Sequence, residues 1–515
     1  MTKYIMILMA TILLSNCASQ KDTNILRLRL SSDPTTLDPA LMVDVVGGIV
    51  SAKIFNGLVK YGDDMKIVSD IAKKWDISPD GKSYTFYLNN DVKFANGRLL
   101  DANDIKYSFE RILNPETKSP RRWVFKDVLG ADKTEDGVVE GFVVKDAYTF
   151  QIILTKPFSP FLGFLAMPAG YIVPIEEVKK WGEDFSEHVV GTGPFKMTKW
   201  VHDDVLVLEK NTEYFDKKPE VDGIEYRIIP EELTAMAEFE SGTLDAIGLP
   251  MTEFERFTTT EKWKKNIVGQ VGLNAYYLGI NCQKKPFDDV RVRQALNYAI
   301  DKKAILETVL QNQGVLSHGS IPPILPGYNC KLPAYERNVQ KAKELLKDAG
   351  CEGLVLKIYQ KPSREALNIT EVIQSQLKDV GITATIIQIE WSALKEMINQ
   401  GKCDTFYLAW LADYPDAENF LAPLFHSANF GAGGNRAQYK NEKVDKLIET
   451  AQATSDEKKR NKIYQQIETI IHDDAPWVFL WHQKEFAVHQ SWIKGYKCFS
   501  IYNADKGVGV GIDSK

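Results

Sequence analysis

The sequence predicts an α/β protein, and three observations carry the prediction. Ile25-Leu26-Arg27-Leu28-Arg29-Leu30 alternates apolar and basic residues, the period-2 signature of a strand with one buried face. Residues 354–359, 366–380 and 382–389 read as strand, helix stopped by Gly381, and strand. That is a βαβ unit, whose strands should run parallel with a right-handed crossover. Apolar residues recur at helical spacing over 292–310, 339–349, 441–454 and 459–472, the last with Ile463, Ile467, Ile470 and Ile471 inward.

The first half of the chain reads differently. Trp75 precedes the turn Ser78-Pro79-Asp80-Gly81, and residues 84–88 form a strand. Val92-Lys93-Phe94 is expected to be the next strand of a meander, closed by Asn96-Gly97. Asp101 to Asn103 opens a helix with Ile105, Phe109, Ile112 and Leu113 on one stripe.

Before all of this stands a segment with another purpose. Met1-Thr2-Lys3-Tyr4 carries one positive charge, residues 5–14 are apolar, and Leu14-Ser15-Asn16-Cys17 follows. The apolar run is too short to span a bilayer, which takes about 20 residues. It reads as a secretory signal over 1–16. The pattern resembles a bacterial lipoprotein signal, which implies a lipid on Cys17 and a tether over 17–23; Asn16 departs from the usual small residue before that Cys. An ordinary signal peptide that happens to contain a Cys is the other reading. No second stretch is long enough to cross a membrane; the best candidate, 161–173, is broken by Pro168 and Gly170.

The composition, 44% apolar and 26% charged, is that of a well-packed globular protein. A net charge of −6 argues against a nucleic-acid surface. After Cys17 come Cys282, Cys330, Cys351, Cys403 and Cys498, an odd set without a CxxC pair. Zinc and dithiol chemistry are therefore not expected. Cys330 with Cys351, or Cys282 with Cys403, could pair. Enzyme motifs fail one by one. There is no metalloprotease helix and no G-x-S-x-G elbow. Gly81-Lys82-Ser83 ends like a phosphate loop, but Asp76 stands where its leading Gly must be. The seven histidines are scattered. No catalytic residue, metal or cofactor is expected.

One site does stand out. The apolar, aromatic strand from Asp404 to Ala412 runs straight into Asp413-Tyr414-Pro415-Asp416. A carboxylate at the mouth of such a strand is costly to desolvate unless a positive group meets it. No Lys or Arg follows within ten residues. Asp413 is either a turn or cap residue before Pro415, or a carboxylate whose partner comes from elsewhere in the fold or from a ligand ammonium.

Several blocks together are similar to one family. Ala72-Lys73-Lys74-Trp75-Asp76-Ile77-Ser78-Pro79-Asp80-Gly81 continues through Tyr84-Thr85-Phe86, Val92-Lys93-Phe94-Ala95-Asn96-Gly97 and residues 104–111. Gly191-Thr192-Gly193-Pro194-Phe195, Phe239-Glu240-Ser241-Gly242-Thr243-Leu244-Asp245 and residues 286–301 follow in order. This series resembles the family 5 extracellular solute-binding proteins, the peptide-binding components of ABC importers. The resemblance implies a periplasmic binding protein-like fold (type II, cluster C), with two lobes on a hinge and an inserted third α+β domain. Lobe I is then expected over 24–64, 173–272 and 483–515, the insert over 65–172, and lobe II over 273–482. It implies that Asp413, in Trp410-Leu411-Ala412-Asp413-Tyr414, accepts a peptide's α-ammonium, with Val43 to Val45 on one side of the ligand and Ala409 to Leu411 on the other. There a peptide would lie as an added strand, held through its backbone. Arg364 stands where dipeptide-binding members carry the cation for the peptide carboxylate; a solvated Arg at a helix start is the other reading. The partners implied are short peptides, an ABC permease with its ATPase subunits, and the membrane through Cys17; a monomer is expected. A nickel chelate, heme or opine-like ligand is the alternative within the fold. An extracytoplasmic hydrolase is the alternative outside it, disfavoured by the missing nucleophile–base pair.

Overall fold

The computed structural model describes residues 24–133 and 137–513. Residues 1–16, expected above to be a signal, and residues 17–23, expected to be a lipidated Cys and tether, therefore lie outside the described residues.

A twelve-stranded sheet runs through the molecule. Its first half is built on Ile25–Leu30, which pairs parallel with Gly223–Ile228 on one side and Ala246–Gly248 on the other. Val205–Lys210 and Phe195–Val201 extend it antiparallel. The second half has Asn274–Ile280 antiparallel to Thr405–Leu411, followed by Val355–Gln360 and Thr383–Gln388. One strand, Trp477–His489, belongs to both halves. Residues up to Gln483 pair with Asn274–Ile280 and Gly314–Leu316; from Lys484 onward the partners are Ile267–Val271 and Ala246–Gly248. The ladder changes hands between Gln483 and Lys484.

The βαβ reading holds. Val355–Gln360 and Thr383–Gln388 run parallel, joined by the helix Arg364–Asp379. Ser363 caps that helix by accepting from the Ala366 N–H, and Gly381 ends the turn at φ 84. Its buried Ala366, Ile369, Ile373 and Leu377 face the core of the second half. Two expectations fail locally. The helix expected over 292–310 is two helices, Val290–Ala299 and Lys302–Thr308. Asp301 breaks it, because its side chain accepts from the Ala304 N–H and starts a new helix (2.9 Å). Val92 to Phe94 is not a strand; only one bridge, Lys93 to Leu99, forms there. All five described cysteines are free, so neither pairing considered above occurs.

Residues between the first and second stretches of the first half build a separate four-stranded antiparallel sheet. Its order is Ala72–Ile77, Ser83–Leu88, Thr149–Ile153, Phe142–Asp146. The helix Ala102–Leu113 lies on it, capped by Asp101 and burying Ile105, Phe109, Ile112 and Leu113. The Phe109 ring meets those of Phe125 and Phe142 at a tilt and that of Phe150 edge-on. This core continues into the second half: the Phe164 and Tyr414 rings meet edge-on at 4.8 Å, and the Ser159 N–H donates to the Gln452 carbonyl at 2.7 Å. The added sheet thus buttresses the segment that carries Asp413.

The Gly191-Thr192-Gly193-Pro194 turn locks this arrangement to the helix Val45–Ile54. The Gly193 N–H donates to the Ile54 carbonyl (2.8 Å), and a Cβ on Gly193 would lie 2.4 Å from the Lys53 carbonyl. Backbone cannot yield as a side chain end can. We expect Gly193→Ala to lower stability by about 1–3 kcal/mol, read as a fall in the midpoint of thermal unfolding with the far-ultraviolet spectrum retained. An unchanged midpoint would show that the turn tolerates the added methyl.

Candidate functional site

A cavity of about 580 Å³ opens where the two halves of the sheet face each other. One wall comes from the carboxyl ends of the parallel strands, Leu28 to Ser31 and Ala246 to Gly248. Parallel strands leave this end free because their crossovers return to the other end, and ligands bind there for that reason. The start of helix Val45–Ile54 adds Val43, Val45 and Val46, fixed by Asp44, which accepts from the Gly47 N–H (2.6 Å) and the Thr35 hydroxyl (2.5 Å). Gly48 of the same helix has no side chain because the Tyr502 ring lies where one would be. Leu411, Ala412 and Asp413 close the far side.

Large apolar side chains are exposed at this cavity. Val43 is 55% exposed, Val45 52% and Leu411 64%. Covering an exposed Val or Leu fully is worth about 1.5–3 kcal/mol each. A ligand, or closer approach of the two walls, would recover part of that.

Asp413 follows the strand Thr405–Leu411 and is not a cap. Asp416 does the capping, accepting from the Glu418 N–H at 2.9 Å and from the Tyr464 hydroxyl at 3.0 Å. Asn419, buried beneath, accepts from the Asp413 N–H (3.1 Å) and the Trp410 indole N–H (3.2 Å), which fixes the backbone of Asp413. Tyr414 donates to Glu418, whose other oxygen accepts from Gln452 at 2.6 Å. Burial pushes the Glu418 carboxyl up to about 7. The Asp413 side chain itself is left to the cavity. Water reaches it, but the surrounding walls desolvate it and raise its carboxyl above the ordinary 3.8; Arg121 and Asn419 act in the opposite sense.

Arg121 is the cation that sequence reasoning missed. It lines the cavity and donates through Nε to the Met42 carbonyl at 3.0 Å, which ties the added sheet's region to the loop before Val43. It stands 292 residues from Asp413 in sequence, so no local pattern could join them. Tyr502 completes the group: its hydroxyl is raised by desolvation and by Asp413, and lowered by Arg121.

Of the residues singled out in the sequence, Val43, Val45, Leu411 and Asp413 meet at one cavity. Ala409 and Trp410 lie just behind it; Trp410 packs partly buried against the core. Arg364 is exposed at the first position of its helix and is not part of the cavity lining. Another feature concerns Ala409 to Leu411. Thr405–Leu411 pairs with Asn274–Ile280 along its whole length, but with Val355–Gln360 only at Thr405 and Phe406. From Tyr407 to Leu411 its other edge has no strand partner among the described residues. No metal-binding cluster occurs among the described residues.

Comparison with known proteins follows the same geometry. The family model of the bacterial extracellular solute-binding proteins, family 5 (middle region), matches residues 66–432. The chain is 32% identical over 468 residues to the dipeptide-binding protein of Escherichia coli K12, covering 87% of this chain and 86% of that protein. It is 31% identical over 504 residues to heme-binding protein A of Haemophilus influenzae, covering 94% and 91%. Among solved structures, DppA from Helicobacter pylori in complex with the peptide STSA superposes with a TM-score of 0.77 at 29% identity, covering 95% of this chain and 98% of that one. The murein tripeptide-binding protein MppA in its unliganded open form gives 0.83 at 26% identity, with 95% and 98% covered.

The raised Asp413 carboxyl has a consequence for stability. The unfolded chain releases this proton first, so the folded state is penalised as pH rises through the raised value, and not below 3.8. We expect Asp413→Asn to raise the unfolding midpoint of the ligand-free protein at pH 7.5, and the gain to vanish as the pH falls below 3.8. A midpoint lowered at neutral pH would show that the carboxylate stabilises the empty cavity.

Proposed function

We propose that this chain, which belongs to the bacterial extracellular solute-binding proteins of family 5, captures short peptides in the cavity and hands them to an ABC permease. The observation that carries this reading is an edge without a strand partner from Tyr407 to Leu411, whose Leu411 end lines the cavity together with Asp413, Val43 and Val45. An extended peptide adds to such an edge through its own amides and carbonyls, whatever its side chains. Each such hydrogen bond contributes about 0.5–1.5 kcal/mol net, and a charge-assisted one about 1.5–3 kcal/mol. The α-ammonium on Asp413 then sets the direction and register of the peptide. Arg121 opposes the desolvation that raises the Asp413 carboxyl, and so favours the charged form that receives the ammonium. The dipeptide-binding protein and the DppA–peptide complex among the similar proteins support a peptide ligand. Arg364 keeps its proposed role at the peptide carboxylate only if lobe closure brings it to the cavity.

The cycle is capture, closure and delivery, without covalent chemistry. The division into lobe I (24–64, 173–272, 483–515), insert (65–172) and lobe II (273–482) is supported by the hand-over of the ladder between Gln483 and Lys484. Two segments cross between lobes, the turn after Val271 and the strand Trp477–His489, and bending there is a hinge motion. The exposed Val43, Val45 and Leu411 suit an open form. So does the closer superposition on the unliganded open form of MppA than on the DppA complex. A lipid on Cys17 would keep a monomer near its permease and ATPase subunits; one acyl chain alone binds membranes only marginally, so stable anchoring takes more than one.

A non-peptide ligand is the second reading, favoured by the 31% identity to heme-binding protein A. Titration calorimetry separates the two. We expect Asp413→Ala to weaken binding of a di- or tripeptide by about tenfold or more, with heme absorbance unmoved by the protein. Unchanged peptide affinity in the folded variant would remove Asp413 from the site. Small-angle scattering should show a smaller radius of gyration with saturating peptide; an unaltered curve would count against closure.

A further inference from the structure

The charges around the cavity do not balance locally. Lys53 pairs with Asp505 at 2.8 Å, and Lys497 with Asp63 at 2.6 Å. Arg29 donates to the carbonyls of Ile229 and Pro230, both at 2.7 Å. Asp413 has Arg121. Glu485 has no cation and no hydrogen-bond donor among the described residues, although it lines the same cavity. It sits on the strand Trp477–His489, two residues beyond Gln483, where the ladder passes from one half to the other. Space is left for it: a Cβ on Gly272 would lie 3.0 Å from its Oε1. The Cys498 thiol, also at the cavity, is held neutral by burial, pushed up to about 11, and offers no charge.

An unpaired carboxylate can be tolerated while water reaches it. In the closed form required by the proposed capture cycle that water is lost, and a desolvated, unpartnered charge opposes closure. A ligand that brings a cation to Glu485 removes the opposition; one that does not must close against it. Specificity then comes from the penalty on the wrong ligand as much as from attraction for the right one.

We propose that Glu485 is a second acidic subsite of this cavity, selecting ligands that carry a positive charge beyond the α-ammonium, such as peptides with a lysine or arginine side chain. This rests on the peptide reading and narrows it. The test is titration calorimetry of the full-length protein with trialanine and its three single-lysine variants, Lys-Ala-Ala, Ala-Lys-Ala and Ala-Ala-Lys, repeated with Glu485→Gln. At least one lysine peptide should bind the native protein about tenfold or more tighter than trialanine. In Glu485→Gln that preference should fall to within about twofold, while Asp413→Ala should weaken all four peptides. Equal affinities in the native protein, or a lysine preference that survives Glu485→Gln, would overturn the subsite and leave the peptide reading intact. No binding of any of the four by the native protein would overturn both. A thermal unfolding curve for Glu485→Gln guards against misfolding, and Glu485→Asp, which keeps the charge, should retain part of the preference.

Discussion

The strand Trp477–His489 is the constraint on which the rest depends. Its two ends pair with different neighbours, so each half of the sheet is completed by one end of the same thirteen-residue strand. Breaking that strand would leave unpaired edges in both halves at once, and buried backbone groups must be paired. The halves therefore cannot separate without unpairing that strand. A cavity bounded by both halves follows from this geometry.

The electrostatics of the cavity follow from the same arrangement. Asp413 sits at the end of a strand in the second half, and Arg121 comes from the region of the added sheet, tied to the first half through Met42. Desolvation raises the Asp413 carboxyl above its ordinary value, and Arg121 opposes that rise without cancelling it. Beneath it, Asn419, Asp416 and Glu418 consume the local hydrogen-bonding needs of the turn. The Asp413 side chain lines the cavity. Exposed Val43, Val45 and Leu411 beside it are poorly placed for a resting surface and well placed for one awaiting cover.

Much of the local structure was readable because it rests on short-range physics. Alternation in Ile25–Leu30, the βαβ unit and the helix opened at Asp101 need only neighbours a few residues away. Even the misreadings are local competitions. Asp301 breaks a continuous apolar stripe because a capping side chain outweighs periodicity at that point. Lys93 and Leu99 form only a single bridge where a strand was expected. The candidate site was legible in part: Val43, Val45, Leu411 and Asp413 were identified from a resemblance of ordered blocks, and they do line one cavity. Arg364 was chosen on the same ground, yet its exposed position at a helix start keeps it from the lining.

What the amino-acid sequence determined alone was the class of fold, the order of its elements and the acid at the mouth of an apolar strand, all set by periodicity, capping and desolvation cost within short windows. Only the tertiary structure decided what that acid faces. Arg121 reaches the cavity from one part of the chain and Glu485 and Tyr502 from another, far from it in sequence, and the free edge of Thr405–Leu411 exists only because Val355–Gln360 stops pairing at Phe406. Charge partners and unpaired edges are properties of neighbours in space, which loop closure over hundreds of residues brings together without leaving a mark in any one segment.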